Sequence, residues 1–292
     1  MKKRIITGAV FAIVMLAGIY FRGWMMLAIL AFAMIVSMYE FCHALMKSGI
    51  KLMRWASYLF CGLTIVAQVS GRLINSGWAL PKEGLLLPAL LPLLLSTLAA
   101  MTRLVVRGRE DMECLTASMF PLLYPGLFYA VLMELLRLHN DAAVVVALII
   151  ALFDASINDV FALFTGMLLG KHKLAPELSP KKTIEGSIGG LVAGTLFAMA
   201  VPSITRLIFA HVPSVISAMD TLPPVWAFAL LGFFGSALSQ VGDLSASMVK
   251  RHCGIKDYGK LLPGHGGVMD RMDGILFCGA ACYIFFNLVG LG

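Results

Sequence analysis

Apolar runs of about 17 to 23 residues recur along this chain, each long enough to cross a hydrocarbon layer of about 30 Å as a helix. Nothing else constrains the fold as tightly, because a backbone inside a bilayer must satisfy its own N–H and C=O groups, as a helix or a closed barrel. Barrel strands would be shorter and would alternate apolar with polar residues, which these runs do not. The sequence therefore predicts an all-α, polytopic integral membrane protein. About nine spans are expected, at residues 5–20, 24–38, 53–69, 84–100, 117–136, 142–159 with an apolar continuation to 170, 188–210, 225–241 and 274–291. Composition agrees: 13% of residues are charged and 60% hydrophobic, and soluble domains carry about twice that charged share. Lys2, Lys3 and Arg4 precede the first run as in a signal peptide, but a second span follows at once without a clear small-residue cleavage site. The first run is therefore read as a span.

If the loops alternate sides, eighteen of the 23 Lys and Arg residues fall on one of them, and only Arg22, Arg72, Lys82, Arg137 and Arg206 on the other. Such asymmetry marks the cytoplasmic side. The N-terminus and both late basic loops are expected there, with the C-terminus opposite. The net charge of +7 then reads as orientation and attraction to anionic headgroups, not nucleic-acid binding, for which no basic tail or RNA-binding motif speaks. Six cysteines form neither a disulfide framework nor a zinc-type CxxC pair.

Charge gathers in three places on the side assigned to the cytoplasm. Asp159 lies near the end of its span, after Asp154 and Asn158, which share a helix face with Asp159 slightly around it. A carboxylate at that depth needs a partner: a neighbouring helix, a loop lysine, a substrate or a metal. The loop 170–186 carries four lysines, including Lys182, with Ser179 and Thr183, before a helix whose first amides can receive an anion. That arrangement suits phosphate, although a loop that only holds topology would also be lysine-rich. The third place is densest, with five Lys/Arg, three Asp, two His and a Gly-Gly pair between residues 247 and 273. Asp243, Ser247, Lys250 and Arg251 recur at i, i+4, i+7 and i+8, lining one helix face. The stretch 263–267 makes a turn where backbone can approach a ligand, and Asp270 and Asp273 lie one turn apart at the entrance of the last span. Asp243 and Asp270 are thus expected to cap two helices on the same side. Were those ends to meet, two hard oxygen ligands would converge beside lysines, as Mg²⁺ carrying a nucleoside triphosphate requires.

Three templates fail on their details. No GxxxxGK[ST] is present, so there is no P-loop. Asp270-Arg-Met-Asp273-Gly resembles part of the CDP-alcohol phosphotransferase motif, but the Ala-Arg pair expected soon after the glycine is missing. Ser247 and His265 make no hydrolase triad, because no matching carboxylate stands at that spacing. A membrane transporter of an organic anion is the alternative from another class. Many transporters repeat themselves internally, whereas here no repeat is evident and the charged segments crowd the second half. A purely structural subunit would not account for paired aspartates facing a glycine turn.

The run Ser247-x2-Lys250-Arg251-x4-Lys256-Asp257-x-Gly259-x2-Leu262-Pro263-x-His265-Gly266-Gly267-x2-Asp270-Arg271-x-Asp273 resembles the C-terminal signature of the phosphatidate cytidylyltransferases, the CDP-diacylglycerol synthases. The loop Gly170-Lys-His-Lys-Leu-Ala-Pro, with Ser179-Pro-x-Lys182-Thr183-x-Glu185-Gly186, resembles that family's preceding basic loop. Motif resemblance runs from about residue 159 to 273; the first 140 residues resemble the family only as apolar helices. The chain is therefore read as N-terminal transmembrane helices, 1–140, and a C-terminal catalytic region, 141–292, in one continuous membrane domain.

The resemblance implies transfer of CMP from CTP to phosphatidic acid, giving CDP-diacylglycerol and pyrophosphate, dependent on Mg²⁺, and it leaves room for a monovalent cation beside the Mg²⁺. It implies an enzyme of the inner membrane, with its active site on the cytoplasmic face, membrane lipids around it and a homodimeric state. By the same resemblance Asp243 and Asp270 hold the metal. Lys250, Arg251, Lys256 and Arg271 contact triphosphate or lipid phosphate, with Ser247 and Asp257 in the same signature. Ser179, Lys182 and Thr183 bind phosphate from the other loop, and His265, Gly266 and Gly267 shape the turn near the nucleotide. Asp273 either supports the metal ligands or serves as a helix N-terminal carboxylate. After the family-aligned Asp159 the chain reads Val-Phe-Ala-Leu, where the family has a small polar or glycine residue and an aromatic, while Gly166 and Gly170 keep their offsets. That departure leaves a paralogue acting on a different lipid phosphate as a further alternative.

Overall fold

The computed structural model describes residues 2–21, 23–73, 87–108, 111–262, 264 and 266–291. It is the structure of an all-α polytopic membrane protein with, among the described residues, one small hairpin. Among the described residues seven helical stretches have the length and hydropathy of a span: Gly23–Lys47, Pro88–Val106, Met112–Arg137, Asp141–Leu169, Ile184–Ile208, Val225–His252 and Met269–Leu288. Two further expected spans are helical without joining those seven: the first, whose apolar stretch Thr7–Phe21 is shorter, and Arg54–Leu73.

The chain divides into two compact units, Met1–Glu134 with His252–Arg271, and Leu135–Arg251 with Met272–Gly292. The first contains α1 (Lys2–Phe21), α2 (Gly23–Lys47), α3 (Arg54–Leu73), α4 (Leu87–Val106) and α5 (Met112–Pro121), the last continuing through a widened turn, Leu122–Leu127, into α6 (Phe128–Glu134). Asp111 starts α5 by accepting the Cys114 amide at 3.0 Å. Phe41 of α2 organises the interior. Its ring meets Phe120, Tyr124 and Tyr258 at centroid distances of 5.4, 5.5 and 5.6 Å, so the segment 252–271 is held by aromatic contact to helices far away in sequence. Buried polar groups pair across helices, as Gln68 Nε2 does with Glu134 Oε1 at 2.6 Å.

The second unit contains α7 (Asp141–Leu169), the antiparallel strands β1 (Lys173–Ala175) and β2 (Ser179–Thr183), α8 (Ile184–Ile208), the short α9 (Pro213–Ala218), α10 (Val225–His252) and most of α11 (Met269–Leu288). Asn140 caps α7 and Thr183 caps α8, their side chains accepting the amides of Ala143 and Gly186 at 2.9 and 3.1 Å. Close helix approach here depends on small residues, since apolar burial drives no association inside a lipid layer. Gly186, Gly190 and Gly194 recur every fourth residue along α8. A Cβ at Gly186 would stand 2.6 Å from the Ala162 carbonyl of α7, and Cβ atoms at Gly190 and Gly194 would collide with the side chains of Asn158 and Ser236.

Two local expectations are corrected. The basic loop 170–186 contains a hairpin, with Lys173 opposite Thr183 and Ala175 opposite Ser179, strands too short for alternation to reveal. Asp243 caps no helix, because α10 continues through polar residues to His252 and carries Asp243 on its flank.

Candidate active site

The two ends of the hairpin fix the position of its lysines. The backbone amides of Lys171 and His172 donate to the Glu185 carboxylate at 3.0 to 3.3 Å, so the first turn of α8 grips the start of the loop. Arg251, exposed at the far end of α10, donates from Nε to the Leu178 carbonyl at 3.3 Å. Between these ties β2 presents Lys182, whose ammonium forms an ion pair and hydrogen bond with Asp243 of α10.

Asp159 of α7 and Asp273 of α11 act on the same ammonium. Burial alone would lower the Lys182 pKa, but the charge and hydrogen bond of Asp243, with Asp159 and Asp273 behind it, outweigh desolvation and hold it above the ordinary lysine range. Lys182 is therefore cationic across the physiological range. Asp273 also lies in the field of Asp243, Lys250 and Asp159. Three carboxylates and two lysines from four stretches of sequence thus share one electrostatic cluster in the second unit. Ser247 is half-buried one turn beyond Asp243, and Ser179 is half-buried at the start of β2. Thr183 has the structural duty of capping α8.

Behind the cluster runs a hydrogen-bonded seam. Ser236 donates to Asp154 at 2.7 Å, Asn158 donates to the Ser236 carbonyl at 2.9 Å, and Gln240 bridges Asn158 and the Ser187 carbonyl at 3.0 Å each. Asp154 and Asn158 thus take their partners from a neighbouring helix. Both are buried, whereas Asp159, one residue further round, is exposed.

In the first unit Asp270, in the first turn of α11, accepts the amides of Tyr258 and Gly267 on Oδ2 at 2.8 and 3.0 Å. The carboxylate thereby closes the loop before it. Gly266 has φ +86° and lies against it, where a Cβ would stand 2.9 Å from Oδ2, so a side chain there would be strained by both backbone and contact. Lys256 and Asp257 are exposed and line a cavity of about 500 Å³ with His43, Lys47 and Lys260. Arg271 is exposed. His265 and Pro263 lie outside the described residues.

Sequence reasoning missed Glu40. This buried carboxylate of α2 accepts the Met269 amide at 2.9 Å, and a Cβ at Gly259 or Gly267 would collide with it. Glu40 therefore shapes the loop that carries the signature. A lone acid in an apolar span was the only available signal.

Among the described residues no three His, Cys, Asp or Glu side chains already stand in metal-binding geometry. The second unit nonetheless supplies hard oxygen donors of the kind a divalent cation takes: Asp243 in contact with the Lys182 ammonium, and Asp159 and Asp273 acting on it through charge.

Fold and site together define a multi-pass helical membrane protein with a carboxylate and lysine cluster suited to phosphate chemistry. The chain belongs to the cytidylyltransferase family, whose model it matches over residues 2–289. It is 39% identical over 163 residues to the phosphatidate cytidylyltransferase of Brucella abortus (strain 2308), covering 55% of each chain. It is 36% identical over 156 residues to that of Thermotoga maritima, covering 53% of each. With phosphatidate cytidylyltransferase 5, chloroplastic, of Arabidopsis thaliana it shares 35% over 214 residues, 66% of this chain and 50% of the relative. The chain thus spans about half the length of the curated relatives it matches.

Proposed function

We propose that the protein transfers CMP from CTP to phosphatidic acid. An oxygen of the lipid phosphate forms a bond to the α-phosphorus of CTP, the bond from that phosphorus to the oxygen bridging the β-phosphate breaks, and pyrophosphate leaves with the electron pair. The products are CDP-diacylglycerol and pyrophosphate. The observation that carries this reading is the Lys182–Asp243 ion pair, under the charge of Asp159 and Asp273, in a chain of the cytidylyltransferase family, whose relatives above are named phosphatidate cytidylyltransferases.

Such a transfer needs alignment and charge neutralisation more than covalent help. Lys182 and Lys250 supply positive charge within the cluster and Arg251 from the end of α10; Lys256 and Arg271 are assigned to phosphate by resemblance alone. Asp243 is assigned to Mg²⁺ on its surroundings, and Asp270 by resemblance alone. When bound, Mg²⁺ neutralises phosphate charge and favours departure of pyrophosphate. Ser179 and Ser247 are assigned to phosphate oxygens as hydroxyl donors. Gly266 and Gly267 keep the turn narrow, and Asp270 holds it closed. We place the reaction on the cytoplasmic face of the inner membrane, by the Lys and Arg asymmetry, in a homodimer.

The test is CTP-dependent conversion of phosphatidic acid by purified protein in detergent, with and without chelator, beside Asp243→Asn. The expected result is product that requires Mg²⁺ and falls by about 100-fold or more in the variant, the scale of losing one preorganised electrostatic contact. Unchanged turnover in a folded Asp243→Asn protein would overturn the assignment.

A further inference from the structure

A second concentration of positive charge, which the reaction does not use, lies in the first unit where α3 begins and α4 ends. Arg54, Arg103 and Arg107 line a cavity of about 610 Å³ with, among the described residues, one acid, Asp111, whose carboxylate already caps α5. The Arg103 guanidinium lies 5.0 Å from the centroid of the Trp55 ring, a cation–π contact that fixes its direction. Three arginines in one concave site make an anion receptor, and guanidinium geometry favours phosphate oxygens.

A shallower groove of about 650 Å³ shares Trp55, Arg103 and Arg107 and continues along α4 over Leu95, Leu98 and Val106, all exposed apolar side chains. The charged chamber therefore leads onto an apolar track. A soluble phosphate has no use for the track, and a hydrocarbon chain has no use for the guanidiniums. One molecule uses both.

We propose that this site binds an anionic phospholipid, its phosphate among Arg54, Arg103 and Arg107 and an acyl chain along Leu95, Leu98 and Val106 of α4. The sequence places this end of both helices on the Lys- and Arg-rich side, where anionic headgroups attract basic residues. The site stands apart from the proposed reaction, because none of its residues belongs to the candidate active site.

The test uses the full chain, delipidated in neutral detergent, with Trp24, Trp78 and Trp226 replaced by Phe so that Trp55 alone reports. It is titrated with micelles containing phosphatidylglycerol, micelles containing phosphatidylcholine, or inorganic phosphate. Phosphatidylglycerol is not the proposed acceptor, so binding is read independently of turnover. The expected result is a saturable change in Trp55 emission with phosphatidylglycerol only. Arg103→Ala with Arg107→Ala should weaken it about 25-fold, at about five-fold per arginine. Arg54→Ala, at an exposed position, should weaken it about five-fold even if the double variant fails to fold. An equal response to phosphatidylcholine would reduce the site to an apolar groove. A response to inorganic phosphate would make it a receptor for soluble anions, and undiminished binding by folded arginine variants would leave them with topology alone. Each of these results overturns the proposal.

Discussion

Glu40→Ala tests whether α2 holds the signature loop in place. In the native protein the buried Met269 amide donates to Glu40 Oε2 at 2.9 Å, and Gly259 and Gly267 pack against the carboxylate. Alanine strands that amide, at about 1–3 kcal/mol for a buried unsatisfied donor. The space vacated by the longer side chain adds about 1 kcal/mol. The sum, about 2–4 kcal/mol, corresponds to about a 30- to 700-fold rise in the opening constant of the loop at 1.4 kcal/mol per decade. Cys253, buried at the start of the 252–271 segment, provides the assay when kept as the sole cysteine and exposed to a thiol-reactive dye. While reclosing outruns labelling, the labelling rate follows the opening constant. The expected rise is at least about 30-fold for Glu40→Ala and less than about tenfold for Glu40→Gln, which keeps an acceptor of similar shape. Labelling of Glu40→Ala at the wild-type rate would refute the reasoning.

Asp270 has a structural and a proposed chemical duty, and substitutions separate them. Asp270→Asn retains an oxygen for the Tyr258 and Gly267 amides and should keep wild-type thermal stability while turnover is lost, whereas Asp270→Ala should lose both; activity beside a melting curve in detergent decides. Gly194→Val forces a side chain against Ser236 and Asp154, and overpacking of that kind costs about 1–3 kcal/mol, so its melting temperature should fall by several degrees.

The membrane fold was legible because spans are long and their composition is extreme, and helices occupy most of the described part of every expected span. Helix ends were less legible. Hydropathy stops at Val241, yet α10 continues to His252, because a helix leaving the bilayer needs no apolar residues to continue. The glycines of α8 stood at an interval of four in plain view, but spacing alone does not say which helix they admit. Lys182, Asp243 and Asp273 were each singled out from the sequence; their meeting with Asp159 was not, because hydropathy carries no pairing information. Glu40 escaped because its partner amide lies 229 residues away, with no local pattern linking the two.

The central claim concerns which phosphorus of the nucleotide is transferred, and label position reports it most directly. Purified protein is given phosphatidic acid and CTP labelled at the α-phosphorus in one tube and at the γ-phosphorus in another. The account predicts α-label in the lipid fraction, in an amount equal to the pyrophosphate released, and γ-label only in water. Lipid carrying the γ-label would mean phosphoryl transfer instead, and no label in lipid from an active, folded preparation would contradict the cytidylyl-transfer account altogether.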